Sequence, residues 1–211
     1  MIEFLKSLYN AERLLELVGS LLSNPLGVTG LFAIVFAETG LLAGFFLPGD
    51  SLLFSVGVAS GAAGHNVVLL ALLLMAAAIA GDNMGYFLGY HAGPRIFTRP
   101  KSRFFHPDHL QRTKEFYERY GGRAVIYARF IPIIRTCTPF IAGVAKMRYS
   151  RFLFFSLFGG VFWIAFMTTL GFELGQIPIV RRHFEKVVIG IVVLSLAPIA
   201  LQALKKRPAA A

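Results

Sequence analysis

The chain has 211 residues, 56% of them hydrophobic and only 15% charged, with a mean hydropathy of +0.65. A soluble domain carries about 25% charged residues, so the composition excludes an ordinary soluble fold and predicts one compact all-α integral membrane protein. The formal net charge of +10 fits basic loops beside anionic headgroups. No basic and aromatic platform stands apart from the apolar segments, so the charge does not point to nucleic acid.

Residues 1–24 read as an N-terminal amphipathic helix. Positions 4–23 have helical periodicity, with Lys6, Glu12, Arg13 and Glu16 on the polar side. This stretch is too charged to span and suits the membrane interface. Glu3, Glu12 and Glu16 also make it unlike a cleavable signal. Asn24-Pro25 ends the helix.

Residues 28–64 are apolar but repeatedly interrupted, by Glu38-Thr39-Gly40, Gly44, Pro48-Gly49-Asp50, Gly57, Gly61 and Gly64. A straight span does not need Pro-Gly-Asp at its centre. Non-helical backbone at membrane depth is tolerated only where protein or water covers it. The segment is therefore predicted to be a re-entrant helical hairpin followed by a short helix.

Residues 67–90 are the clearest span. Gly81, Gly85, Gly89 and Gly93 recur every fourth position and give one face suited to close helix contact, within a molecule or between copies in a homo-oligomer. Asp82 and Asn83 lie beside that face. An intramembrane carboxylate is a functional candidate; the alternative is that Asp82 already lies near the interface.

Residues 94–123 form the polar centre, with Arg95, Arg99, Lys101, Arg103, Arg112, Lys114, Arg119 and Arg123 against Asp108, Glu115 and Glu118. An amphipathic helix is expected over 108–120, capped by Asp108 and stopped by Gly121-Gly122. It is expected on the cytoplasmic membrane surface.

Residues 124–147 are apolar yet hold Arg129, Arg135, Pro132 and Pro139. An arginine near the bilayer centre costs roughly 2.5–3.5 kcal/mol on the lenient insertion scale, and two helix-breaking prolines are not needed by a plain anchor. Arg123 precedes the run, and Lys146, Arg148 and Arg151 follow it. With basic flanks on the cytoplasmic side, both ends lie on one side, so this segment is a second hairpin that enters and returns.

Residues 152–174 form another span, with Gly159-Gly160, Trp163 and Gly171 inside it. A C-terminal span over 187–204 leads to a basic tail, 205–211, beginning Lys205-Lys206-Arg207. The C-terminus and the basic loop 94–123 are assigned to the cytoplasm. Arg181, Arg182 and Lys186 then fall outside, against a rule that is statistical. Each broken hairpin precedes a glycine-containing span, and one crossing separates the hairpins. The fold class is therefore an inverted repeat of two re-entrant hairpins plus transmembrane helices and interfacial amphipathic helices, a layout that places transporter sites near the midplane.

Arginine presents a planar fork of donors, charged at any working pH, that matches phosphate. Hairpin tips add helix N-termini that favour anions. Arg129 and Arg135 are six apart, too far for one helix face, but a turn at Pro132 lets both point at one site. Fixed positive charge at depth suggests an anion, and the most abundant membrane anion is a lipid phosphate. The alternative is that each arginine forms a structural ion pair with Glu38 or Asp50. Burial and a nearby arginine act on a carboxylate in opposite directions, which suits Glu38 to proton uptake and release. His106 and His109 with one aspartate do not make a metal set, so no metal or cofactor is expected. Cys137 is the single cysteine; it excludes an internal disulfide and reads as a small packing residue. No nucleophile elbow, zinc-protease or P-loop pattern occurs.

These residues resemble the DedA family, which shares the VTT (SNARE-associated) domain. The matching stretches are Glu38-Thr39, Pro48-Gly49-Asp50, and Gly81-Asp82 with Gly85-Tyr86, Gly89 and Gly93. The most specific is Arg129-Phe130-x-Pro132-x-x-Arg135, followed by Ala142-Gly143, Met147, Phe152 and Trp163. The likeness covers roughly residues 25–175. His91 stands where the family often has Arg, and Ser156 where Asn is common. The resemblance implies a lipid transporter with two opposed re-entrant hairpins. Family members are implicated in returning undecaprenyl phosphate across the bacterial inner membrane, others in phospholipid flipping or scrambling, and in dependence on proton motive force. The family's acidic pair falls on Glu38 and Asp50 and its arginine pair on Arg129 and Arg135; Asp82, Pro48, Gly49 and Pro132 are accessory candidates.

The leading expectation is a flippase for a lipid phosphate, undecaprenyl phosphate first, possessing no enzymatic activity. The alternatives are a phospholipid flippase or scramblase, and a proton-coupled ion or small-molecule antiporter. A lipid phosphatase lacks a histidine placed near the arginine run, and a pure scaffold leaves the buried charges unexplained.

Overall fold

The computed structural model describes residues 11–41, 49–96, 132–184, 186–187 and 190. Helix α1 (Ala11–Leu22) is the described part of the expected amphipathic helix, whose residues 1–10 lie outside the described residues. Asn24 then turns extended, and its side chain accepts a hydrogen bond from the Leu26 N–H at 3.0 Å. It caps α2 (Pro25–Gly40), whose first position holds proline, where no N–H is needed. Helix α3 covers Gly49–Ala63 and α4 Val67–Ile96. Helix α5 covers Pro132–Val144 and α6 Tyr149–Gly175, followed by the short α7, Pro178–Arg182.

The interrupted run 28–64 is two helices, and their lengths matter. At about 1.5 Å per residue, α2 and the described parts of α3 and α5 measure about 24, 22 and 20 Å, against a hydrocarbon core of roughly 30 Å. By contrast, Val67–Gly93 and Tyr149–Gly175 are long and apolar enough to cross a membrane, at about 40 Å each. Their outward faces carry exposed Val68, Leu69 and Leu72 on α4 and Phe154, Phe158 and Phe162 on α6. Apolar residues on both inward and outward faces are the mark of a helix surrounded by apolar material.

Two expected boundaries move. The first span runs to Ile96 rather than 90, so the start of the polar segment at 94 is helical; the glycine face keeps finding contacts as far as Gly93, packed on Val144. The second span begins at Tyr149 and ends at Gly175 rather than covering 152–174. Pro139 does not break its helix: it lies inside α5 and a Cβ placed on Gly85 would touch its ring at 3.2 Å. Neighbouring helices hold such a proline in place. Pro132 is the first described residue of α5. The 108–120 helix, residues 124–131, the tail 205–211 and nearly all of the 187–204 span lie outside the described residues.

Helix, turn and helix recur in the two halves. Helix α3 ends with Gly64 at φ 69°, where the His65 N–H reaches back to Ser60 O, and α4 starts three residues later. Helix α5 ends with Lys146 at φ 54°, where the Met147 N–H reaches back to Ala142 O, and α6 starts three residues later. Both are left-handed helix caps that return an amide to the last free carbonyls.

The two units exchange partners. Helix α3 packs chiefly on α6, and α5 on α4. Asp50 meets Trp163, Phe54 meets Gly171 and Val58 meets Gly175, so α3 and α6 run parallel. Pro139 meets Gly85, Phe140 meets Gly89 and Val144 meets Gly93, so α5 and α4 run parallel. Between the long helices the order reverses: Asp82 meets Ser156 while Tyr86 meets Phe152 and Tyr149. The two long helices are antiparallel. Leu31, Val35, Leu52, Val56, Leu74 and Ala77 fill the main core between α2, α3 and α4, with Ile164 and Met167 of α6.

Candidate functional site

The tips of three short helices meet halfway along the two long ones. Glu38 closes α2, Asp50 opens α3 and Arg135 sits near the start of the described part of α5. All three are buried, at 4%, 8% and 9% exposure. The Arg135 guanidinium donates through Nη2 to Glu38 Oε1 at 2.9 Å and through Nη1 to Asp50 Oδ1 at 2.5 Å. Each carboxylate takes one tine of the fork. The Trp163 indole N–H, from the middle of α6, also donates to Asp50 Oδ1 at 3.0 Å, and its ring lies 5.8 Å from the guanidinium carbon.

Local sequence explains the approach. A Cβ at Gly49 would fall 1.9–2.2 Å from the Glu38 carboxylate, so only glycine lets the start of α3 reach it. The carboxylate thereby lies at a helix N-terminus, which favours negative charge. On the other side of the site, Gly40 and Gly81 let α2 cross α4 at backbone distance, and Thr39 Oγ1 bonds to Val35 O at 3.0 Å. Arg135, near the start of the described part of α5, carries the opposite charge, and the two carboxylates balance it.

Asp82 is buried at 3% and accepts a hydrogen bond from Ser156 of α6. Its neighbour Asn83 accepts from the Tyr149 hydroxyl at 2.8 Å. The glycine face beside them is filled from within the chain: Gly81 by Thr39 and Phe36, Gly85 by Pro139, Gly89 by Phe140 and Gly93 by Val144. These contacts are all within the chain.

A VTT domain model matches residues 47–173, most of the chain and both Asp50 and Arg135. The chain is 39% identical over 183 residues to protein DedA of Escherichia coli (strain K12), covering 86% of this chain and 84% of that protein. The chain belongs to the DedA family. It is also 43% identical over 171 residues to an uncharacterized membrane protein of Mycobacterium tuberculosis (strain ATCC 25618 / H37Rv), covering 80% of this chain and 75% of that one. To the inner membrane protein YqjA of Escherichia coli (strain K12) it is 37% identical over 158 residues, covering 74% and 71%. No solved structure matches the chain. With relatives named as membrane proteins and two apolar helices of spanning length, this DedA-family chain is an all-helical membrane protein among its described residues.

Of the residues singled out from the sequence, the fold brings Glu38, Gly49, Asp50 and Arg135 together. Pro132 is the first described residue of the helix that carries Arg135, and Asp82 pairs separately with Ser156. Arg129 and Pro48 lie outside the described residues. From the sequence, Trp163 is a residue inside a span and part of the family pattern, and Ser156 only a departure from that pattern. The signal for Trp163 was that it is the single tryptophan of the chain and falls mid-span. Nothing in the local sequence marks Ser156 as a partner of Asp82, 74 residues earlier.

Proposed function

We propose that this DedA-family protein carries a lipid phosphate across the bacterial inner membrane, with undecaprenyl phosphate as the lipid and the two broken segments as re-entrant hairpins. The observation that carries the reading is one buried guanidinium shared by carboxylates from two separate helix tips. Buried ion pairs are weak devices for stability, and this one joins ends of separate helices. Phosphate needs the same parallel donors that Glu38 and Asp50 occupy.

In this mechanism Arg135, with Arg129, takes the phosphate, and the two carboxylates balance the guanidinium in its absence. Displaced from Arg135, Glu38 takes a proton, because an unpaired buried charge is costly. When it gives the proton up, the carboxylate returns to the fork and the phosphate leaves. Gly49 and Pro132 shape the tips, and Trp163 holds Asp50. The basic loop 94–123 and the C-terminus face the cytoplasm. No cofactor takes part, and no bond is made or broken.

The test is reconstitution in liposomes with labelled undecaprenyl phosphate and labelled phospholipids. Wild-type protein is expected to move the polyprenyl phosphate between leaflets, and an Arg129→Ala/Arg135→Ala variant is expected not to. Movement of every lipid indicates a scramblase. Movement of none favours a proton-coupled antiporter, a reading that the two carboxylates on one cation also support. Glu38→Gln is expected to fold and to lose the pH dependence of transport; wild-type pH dependence in that variant sinks the proton coupling.

A further inference from the structure

The two left-handed caps are occupied differently. Gly64 holds one and Lys146 the other. Glycine adopts this backbone without steric cost, whereas a residue with a Cβ does so under strain. Strain retained at one position of a repeated motif directs attention to the side chain. The Lys146 side chain is exposed, with Nζ 5.9 Å from the centroid of the Tyr90 ring. Arg148 and Arg151 are exposed on the adjoining start of α6. Between them Tyr149, also exposed, leans on Phe87 at 5.4 Å and ties its hydroxyl to Asn83.

No carboxylate balances these cations in the neighbouring sequence. From Asn83 to Ile96 and from Phe140 to Leu170 there is neither Asp nor Glu. The α3–α4 turn, Gly64-His65-Asn66, has no lysine or arginine. Because the spans are antiparallel, the two turns lie at opposite ends of the bundle. One turn is followed by two arginines and presents three cations framed by tyrosines; the corresponding turn of the other repeat has no lysine or arginine of its own, and the cations toward that end, Arg181, Arg182 and Lys186, follow α6 instead.

We propose that Lys146, Arg148 and Arg151, framed by Tyr90 and Tyr149, form a headgroup site for an anionic glycerophospholipid of the adjoining leaflet, separate from the buried Arg135 site. Basic side chains with no carboxylate partner among the described residues supply charge complementarity to a phosphodiester. Tyrosines at the end of an apolar helix sit at headgroup level. The cap leaves Lys146 beside Tyr90. The inference rests on the membrane placement of the chain and not on the identity of the transported lipid.

The test uses the full-length protein in nanodiscs of phosphatidylcholine doped with phosphatidylglycerol, without polyprenyl phosphate, and reads bound lipid by native mass spectrometry after release into detergent. Wild type is expected to retain phosphatidylglycerol over phosphatidylcholine. Each cation removed is expected to weaken retention about fivefold, on the order of 100-fold for Lys146→Gln/Arg148→Gln/Arg151→Gln at low salt. Lys146→Gly is the control for folding: it relieves the strained backbone, so it is expected to raise Tm while lowering retention. Wild-type retention in the triple variant overturns the proposal, as does equal retention of the two lipids; either would fit a patch covered by an acidic segment of the chain itself. Glu38→Gln, altered only at the buried site, is expected to retain phosphatidylglycerol normally, which separates this site from the transport reading.

Discussion

Arg135 is held by two partners that are themselves held by little else in common, which makes its removal informative. Arg135→Ala leaves Glu38 and Asp50 buried side by side, and losing one partner of a buried ion pair costs about 3–5 kcal/mol. The triple variant Glu38→Gln/Asp50→Asn/Arg135→Ala removes the charges together. It is expected to recover most of that loss in thermal unfolding while remaining inactive. A triple variant as unstable as Arg135→Ala alone would show that the ion pairs themselves maintain the fold. Gly49→Ala tests the same site sterically. Its methyl group would sit about where the Glu38 carboxylate lies, and overpacking of this kind costs about 1–3 kcal/mol. Transport is expected to fall with the protein still folded and inserted. Unaltered transport in Gly49→Ala would mean that Glu38 does not need its present position.

Helix pairing depends on small residues at the exchanged contacts. A Cβ at Gly57 would meet Thr168 O at 2.2 Å, one at Gly171 would meet Phe54 O at 2.2 Å, and one at Gly89 would meet Phe140 O at 2.0 Å. In a membrane, close backbone approach replaces the hydrophobic drive for helix association. Gly57→Leu and Gly89→Leu are each expected to separate one short helix from its long partner and to lower Tm sharply. Gly30 has nothing within 4 Å of its Cβ position. Gly30→Ala is therefore expected to be neutral or stabilising, by up to about 1 kcal/mol from helix propensity. Equal losses at Gly30 and Gly57 would mean that helix propensity, not approach, governs both. At this scale the sequence is readable where a pattern is local: the Gly81 ladder lies on one helix face, Asn24-Pro25 ends the first helix, and the two long apolar spans are helices with shifted ends. Pro139 was misread because a proline's effect on a helix depends on what packs around it.

At the scale of the molecule, the antiparallel long helices and the helix ends that meet at Arg135 make a topological prediction. If the first hairpin re-enters, the start of α2 and the end of α3 lie at one membrane face, and the α5–α6 turn lies at the other. In a Cys137→Ser background, Ser23→Cys and His65→Cys are expected to react with an impermeant maleimide from the same side, and Lys146→Cys from the opposite side. Labelling of Ser23→Cys and His65→Cys from opposite sides would mean that α2 and α3 together cross the membrane.

The sequence alone determined that this is a helical membrane protein and roughly where its two long apolar helices run. Those features are encoded in composition, in short periodicities and in a run of arginines and prolines that lipid would not otherwise tolerate. Tertiary structure decided who meets whom. That α3 pairs with α6 and α5 with α4, that Arg135 reaches both Glu38 and Asp50, and that Trp163 and Ser156 serve carboxylates 113 and 74 residues away follow from backbone surfaces fitting at glycine. Such fits depend on positions brought together only by folding, so no window of the chain contains them.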